Sequence, residues 1–294
     1  MAAEDARPSR RVRLGEYALN LALRGLLLLA LALPYRLRVR FMGGLVSRVV
    51  APLAGWRRRI RNNLALVWPD LPEDEIRKLE QAVPDNAGRT LIEIYSGRQF
   101  RNRIRDLVPE GPGLAAVDTA RAEGRAVLFV SGHFGNYDAF RAAMSLRYGE
   151  VGALYRPMNN RYFNRHYVDA MESVAEPMFA RGRRGLAEMV RFMREGRAFA
   201  MLGDQHFASG APLDFLGQPA MTALSAAEMA LKYNALLVPI YGIRQPDGLT
   251  FRVLVEDPVT HSTAEEMTQA LNNSLARMTE AHPEQWFWIH RRWK

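Results

Sequence analysis

The sequence predicts an α/β fold: a single domain with a mixed, largely parallel central sheet flanked by helices, preceded by a hydrophobic, partly amphipathic helical extension. Two observations predict it. Short apolar runs of strand length alternate with helical patterns of about 10–15 residues, as crossover units require. Ahead of them lies a leucine-rich run bordered by arginines.

That run, Leu14 to Leu33, reads LGEYALNLALRGLLLLALAL and is just long enough to span a bilayer as a helix. Glu16, Asn20 and Arg24 interrupt it. Arg13, Tyr17, Asn20 and Arg24 fall on one helical stripe, which suits a helix lying in the interface or packed partly on its own domain. Arg7, Arg10, Arg11 and Arg13 precede it, and Arg36, Arg38 and Arg40 follow, with a second basic run at Arg57, Arg58, Arg59 and Arg61. Such clusters favour the anionic cytoplasmic leaflet. A signal peptide competes with this reading, but the run ends in Leu33-Pro-Tyr-Arg36, without a small-residue cleavage site. A buried core helix is the bland alternative.

Next, Asp70-Leu-Pro-Glu73 has the spacing of a helix start with Asp70 as N-cap. A helix should run from there through Ile76 and Leu79 towards Val83, and a second from about Gly88 to Phe100. Strands are expected at Ala126–Val130, Val151–Tyr155, Phe199–Leu202, Leu236–Tyr241 and Thr250–Val255. Helices are expected at Tyr137–Leu146, Tyr162–Val174, Gly185–Glu195, Thr222–Tyr233 and Ala264–Ala281. No internal repeat or low-complexity segment interrupts them.

Composition narrows the chemistry. The 294 residues carry a net charge of +9 and no cysteine, which excludes a disulfide framework, a thiolate metal site and a cysteine nucleophile. Lys78, Lys232 and Lys294 are the only lysines among 40 basic residues. Arginine favours phosphate-bearing partners, although a GC-rich genome produces the same bias. No Walker loop, strand-following GxGxxG or HExxH spacing is present, so nucleotide and metal binding lack support. No metal and no cofactor are expected.

In open α/β sheets, ligands sit beyond the carboxyl ends of the strands. Three successive strands end there in polar residues: Ser131-Gly-His-Phe-Gly-Asn-Tyr-Asp138, Arg156-Pro-Met-Asn-Asn160 and Gly203-Asp-Gln-His206. Gly132 and Gly135 permit a sharp turn. Such a turn can return the Asp138 carboxylate to the His133 imidazole, making a general-base dyad for a hydroxyl or water. A structural histidine is the alternative. Arg156 can clamp an oxyanion or phosphate, or be a surface arginine. Asp204, Gln205 and His206 can orient substrate, cap a helix or, together with His133 and Asp138, form a metal site, the remotest of the three. Asn136 joins Arg156, Asp204 and Gln205 as an expected substrate-binding residue. The closing His282-Pro-Glu-Gln-Trp-Phe-Trp-Ile-His-Arg-Arg-Trp-Lys294 can be an interfacial aromatic belt, a nucleic-acid stacking strip or, most simply, aromatic packing onto the core.

The 131–138 block resembles the His-x4-Asp/Glu motif of the lysophospholipid acyltransferase superfamily. Tyr155-Arg-Pro157, Gly203-Asp-Gln205, Phe215-Leu-Gly217, Leu237-Val-Pro239 and Pro283 to Trp293, in that order, make the chain similar to the lipid A late acyltransferases. The Phe-Pro-Glu-Gly block of the glycerophosphate branch is missing from the sequence. The resemblance implies His133 as general base, Asp138 as its partner, and Arg156 with Asp204–Gln205 near the active site. It implies transfer of a fatty acyl group from a thioester of acyl carrier protein or coenzyme A to a lipid hydroxyl, most simply on a lipid A precursor. A different lyso-lipid acceptor is the near alternative; hydrolysis and non-catalytic binding of lipid or nucleic acid are remoter, and no nucleic-acid partner is expected. Residues 1–60 are then a membrane-anchoring segment and 61–294 the acyltransferase domain, at the cytoplasmic face of a bacterial inner membrane.

Overall fold

A computed structural model describes residues 10–294. The side chains of the expected leading cluster, Arg7, Arg10, Arg11 and Arg13, lie outside the described residues. Helix α1 (Arg10–Ala32) is followed by α2 (Tyr35–Leu45), a π-helical turn at Val46–Val50, the short α3 (Ala51–Leu53) and α4 (Trp56–Val67). Then come α5 (Glu73–Tyr95), α6 (Gly97–Ile104) and α7 (Leu114–Ala122). Strand β1 (Val127–Ser131), α8 (Tyr137–Tyr148), β2 (Val151–Tyr155), α9 (Arg161–Val174), β3 (Met178–Ala180), α10 (Arg183–Arg194) and β4 (Ala198–Leu202) form the crossover half. A hairpin, β5 (Ala211–Phe215) and β6 (Gln218–Thr222), leads into α11 (Ser225–Tyr233), β7 (Leu236–Arg244), β8 (Phe251–Val255) and α12 (Ala264–Ala281).

The main sheet has the order β3-β2-β4-β1-β7-β8. All neighbours are parallel except β7 and β8, so the sheet is mixed and largely parallel. Period-two alternation splits each strand between two layers. Val127 and Phe129 face the layer containing α8 and α9, whereas Leu128 and Val130 face α10, α11 and α12. A third cluster joins Ile60 and Leu64 of α4 to Trp286 and Trp288 of the closing segment.

Helix α1 uses one face against its own domain. Asn20, Leu27 and Ala30 are buried, while Leu28 and Leu29 are 64% and 72% exposed. The expected polar stripe is therefore divided: Asn20 turns inward and Tyr17 outward. Gly15–Ala32 is long and apolar enough to cross a membrane by length and composition.

Several expected boundaries move. Asp70 does not cap α5, which starts at Glu73 behind Pro72 with no side-chain cap. Pro72 holds an extended backbone there, and Glu73, Asp74 and Glu75 in the first turn suit the positive end of the helix dipole. The two helices expected around Val83 and Gly88 are one continuous α5 that passes through Pro84. Gly88 sits at the contact with α2: a Cβ there would meet the Met42 carbonyl at 2.4 Å, so α5 and α2 pack in backbone contact. The helix expected to reach Phe100 is broken at Ser96, where α5 gives way to α6. Thr222 belongs to β6 and not to the following helix. Strand β3 and the β5–β6 hairpin lie where no strand is expected from the apolar pattern.

Candidate active site

The strand order decides which side chains meet. Strands β1 and β4 are parallel neighbours with Ser131 opposite Leu202. His133 and Asp204 each lie two residues beyond that pair, so the topology sets them side by side. His133 Nδ1 lies 2.7 Å from Asp204 Oδ1, and the His133 main-chain N–H donates to Asp204 Oδ2 at 2.8 Å. Trp286 Nε1 donates to the same Oδ2 at 3.0 Å. The carboxylate is thus buried and fully partnered, as a buried charge must be. Burial alone would raise its pKa. The charge and hydrogen bonds of His133, with His290 beside it, win and hold Asp204 below the ordinary carboxylate range.

The expected bond from Asp138 to the imidazole is not made. Asn136 caps α8 by accepting from the Asp138 and Ala139 main-chain N–H groups, which starts the helix before the chain can fold back. Asp138 sits in the first turn and accepts from Arg141 Nε at 2.8 Å, one turn along. Arg141 also donates to the carbonyls of Met171 and Ala175. Both members of this pair are 3% exposed. Arg141, its charge matched by Asp138, therefore ties α8 to α9 on the wall of the site.

The turn itself is as expected. Gly135 has φ +54°, and a Cβ there would meet the Gly242 carbonyl at 2.1 Å. A Cβ on Gly132 would lie 2.7 Å from Leu275 and 3.1 Å from Asp204 Oδ2. A side chain at either position would displace the loop that carries His133.

A cavity of about 380 Å³ opens beside His133. Asp138, Arg141, Arg156, Arg181 and Gln205, with the phenols of Tyr137, Tyr155 and Tyr167, supply its polar lining, while Phe140, Met171, Met178 and Ala200 supply an apolar part. Fixed polar groups set against an apolar wall suit a small-molecule site. Burial and neighbouring Tyr167, Asp138 and Asp204 keep the Tyr137 phenol protonated well above its ordinary range, so it remains a neutral donor. Of the expected substrate-binding residues, Arg156 and Gln205 reach this cavity. Asp204 instead holds His133. Asn136 is fully buried and outside the cavity; its Nδ2 donates to Glu93 Oε2 at 2.8 Å.

The closing segment is core packing, with Trp286, Trp288 and Arg292 all completely buried. It also contributes the residue that sequence reasoning missed. His290 lies with its ring centroid 4.5 Å from that of His133, edge to face. Its signal was concealed, because a histidine inside an aromatic and basic strip gives no hint that the strip returns to the end of β1. The Phe287 N–H donates to the His133 carbonyl, and the Gly135 N–H donates to the Gln285 carbonyl, which closes the loop from both sides. His133, Asp204 and His290 bring ligand-type atoms within 4.8 Å of one another, close enough to hold a divalent cation in principle.

Burial, then the charge of His133, pushes His290 from 6.5 down to about 3. Because the unfolded chain binds this proton first, the stability linked to His290 is fully present above pH 6.5 and is lost as pH falls towards 3. The folded state should lose up to about 1.4 kcal/mol per pH unit across that window. His290→Phe should flatten the slope, as read by chemical denaturation at pH 4.5 and pH 6.5. An unchanged slope would show that His290 is not held neutral by its surroundings.

A family model for bacterial lipid A biosynthesis acyltransferases matches residues 6–294. The chain is 24% identical over 277 residues to a lipid A biosynthesis lauroyltransferase of Escherichia coli K12, covering 92% of this chain and 89% of that one. It is 25% identical over 278 residues to a lipid A biosynthesis palmitoleoyltransferase of the same organism, again covering 92% and 89%. A phosphatidylinositol mannoside acyltransferase of Mycobacterium tuberculosis (strain CDC 1551 / Oshkosh) is 24% identical over 245 residues, covering 81% and 78%.

Proposed function

Because the chain belongs to the bacterial lipid A biosynthesis acyltransferase family and is an acyltransferase for a lipid acceptor, we propose that His133 is the general base that activates the acceptor hydroxyl. The observation that carries this reading is the 2.7 Å bond between His133 Nδ1 and the buried Asp204 carboxylate. It fixes the tautomer with the proton on Nδ1 and leaves Nε2 basic. The acceptor O–H gives its proton to Nε2 as its oxygen attacks the thioester carbonyl. The Asp204 carboxylate stabilises the imidazolium that results. The tetrahedral oxyanion collapses by breaking the C–S bond, and His133 returns the proton to the departing sulfur. Tyr137, Arg156 and Arg181 are donors lining the cavity that suit the oxyanion or the donor's phosphate-bearing arm. A thioester is already activated, so positioning and proton transfer suffice. The scheme uses no metal or redox cofactor.

The donor is an acyl thioester of acyl carrier protein or coenzyme A, and the net charge of +9 suits an acidic carrier protein. The acceptor is a lipid A precursor. The apolar face of α1, with the arginines after it, supports attachment to the cytoplasmic side of the inner membrane. A second reading, the same chemistry on another lyso-lipid, draws on the likeness to the mannoside acyltransferase.

Lipid profiling by mass spectrometry of a deletion strain tests both. We expect one lipid to lose one acyl chain, restored by the wild-type gene and not by His133→Ala. A lipid A species lacking a secondary chain supports the first reading, and an altered glycolipid or aminolipid the second. Full rescue by His133→Ala would remove the general-base assignment.

A further inference from the structure

Beyond α1, the chain presents a second apolar surface. From the end of the π-helical turn to the start of α4, Val49, Val50, Pro52, Leu53 and Ala54 are all exposed, and Leu53 is 86% exposed. They form the tip of a bend closed by Gly55 at φ +67°. Only Ala51 in this stretch is buried. Packing within the chain gives no reason for this composition, since a bend in water favours polar residues.

The flanks are basic. Arg48 precedes the tip and Arg57 and Arg58 follow it. Beside it lies a groove of about 470 Å³ lined by Arg58, Arg59, Arg291 and Lys294, with Asn62 and Asn63. No Asp or Glu is among its lining residues within the described part of the chain. Apolar residues at a protruding tip, ringed by arginine, match the cross-section of an anionic bilayer: hydrocarbon below, phosphate at the rim. The pattern also continues from α1 through α2, where Leu37 and Phe41, one turn apart, are 54% and 45% exposed.

The geometry points to a second lipid-contact surface, in which the 49–54 tip enters the bilayer interface and the α4 groove binds lipid phosphates. Two attachment points fix orientation where one leaves the domain free to rotate. The groove is wired to the site: Arg59 Nη1 donates to the Ile289 carbonyl, and Asn63 Nδ2 donates to the carbonyls of Trp288 and His290. Seating α4 on lipid therefore seats the segment that packs on His133. The inference rests on the membrane placement proposed above.

The chain has no cysteine, so a single introduced thiol carries a unique label. We would attach bimane at Leu53→Cys, at Leu29→Cys on the exposed face of α1, and at Glu123→Cys, which precedes β1 at the end of the sheet opposite His133. The full chain is mixed with vesicles of phosphatidylethanolamine and phosphatidylglycerol containing doxyl-labelled lipid. We expect quenching at positions 53 and 29 and none at 123. Arg58→Glu with Arg291→Glu should weaken partitioning to these vesicles by about fivefold or more per charge, with no change on phosphatidylcholine. Quenching at 29 without quenching at 53 would overturn the second surface while leaving the membrane placement intact. Quenching at neither position would remove both. A shift at 53 on adding apo acyl carrier protein without lipid, absent with vesicles, would make the tip a protein-docking surface and overturn the inference.

Discussion

Asp204→Asn is expected to lower kcat by about 10³–10⁴-fold while leaving KM within a few-fold of wild type. The carboxylate receives three donors: His133 Nδ1–H, the His133 main-chain N–H and the Trp286 indole N–H. An amide has a single acceptor oxygen. If that oxygen keeps the main-chain and indole donors on the Oδ2 side, its NH₂ faces Nδ1, which must then accept. The imidazole proton moves to Nε2, the atom that should receive a proton from the acceptor. The variant would hold its histidine in place in the wrong tautomer. Its far-UV circular dichroism should match wild type, because the volume is unchanged. Single-turnover acyl transfer with purified carrier-bound donor measures the loss. Activity within threefold of wild type would falsify the assignment of Asp204 as the partner of His133.

Asp138→Ala should act first on stability. It leaves the Arg141 guanidinium buried and deprived of its counter-charge, which typically costs about 3–5 kcal/mol. At roughly 2–4 °C per kcal/mol, Tm should fall by on the order of 6–20 °C. Arg141→Ala should do the same by orphaning the carboxylate and the carbonyls of Met171 and Ala175. The double variant should cost much less than the sum, since it removes both charges together. Whatever activity Asp138→Ala loses should be shared by Arg141→Ala. A stably folded Asp138→Asn that is inactive, beside an active Arg141→Ala, would instead place Asp138 in the proton chemistry.

These two contrasts mark where sequence reading succeeds and where it stops. The ends of β1, β2 and β4 are visible as apolar runs followed by His133, Arg156 and Asp204, and all three belong to one end of one sheet. Which of them touch depends on strand order, and strand order is set by how helices pack on the two faces. Spacing along the chain favours Asp138, five residues from His133. Register across the sheet favours Asp204, 71 residues away. The local pattern also misjudges Asn136, because a polar residue next to a catalytic turn serves equally as a helix cap, and here the cap prevails. The β5–β6 hairpin escapes notice since APLDF and QPAMT carry proline and little apolar alternation. Its stability comes partly from elsewhere, through Phe215 stacked on Trp293 and against Trp286.

The closing segment also sets an order of events during synthesis. The His133 loop is held by the main chain of Gln285 and Phe287, by the Trp286 indole through Asp204, and by the ring of His290. All of these leave the ribosome roughly 250 residues after α1, which at about 5–20 residues per second is a delay on the order of 10–50 s. The apolar N-terminal helix thus has time to find its surroundings while the His133 loop is still unsupported. A chain stalled or cleaved before residue 285 would possess both His133 and Asp204 and have neither the clamp nor the indole that orders them. Segment 285–290 thus completes the packing around His133 only after α1 has met its surroundings.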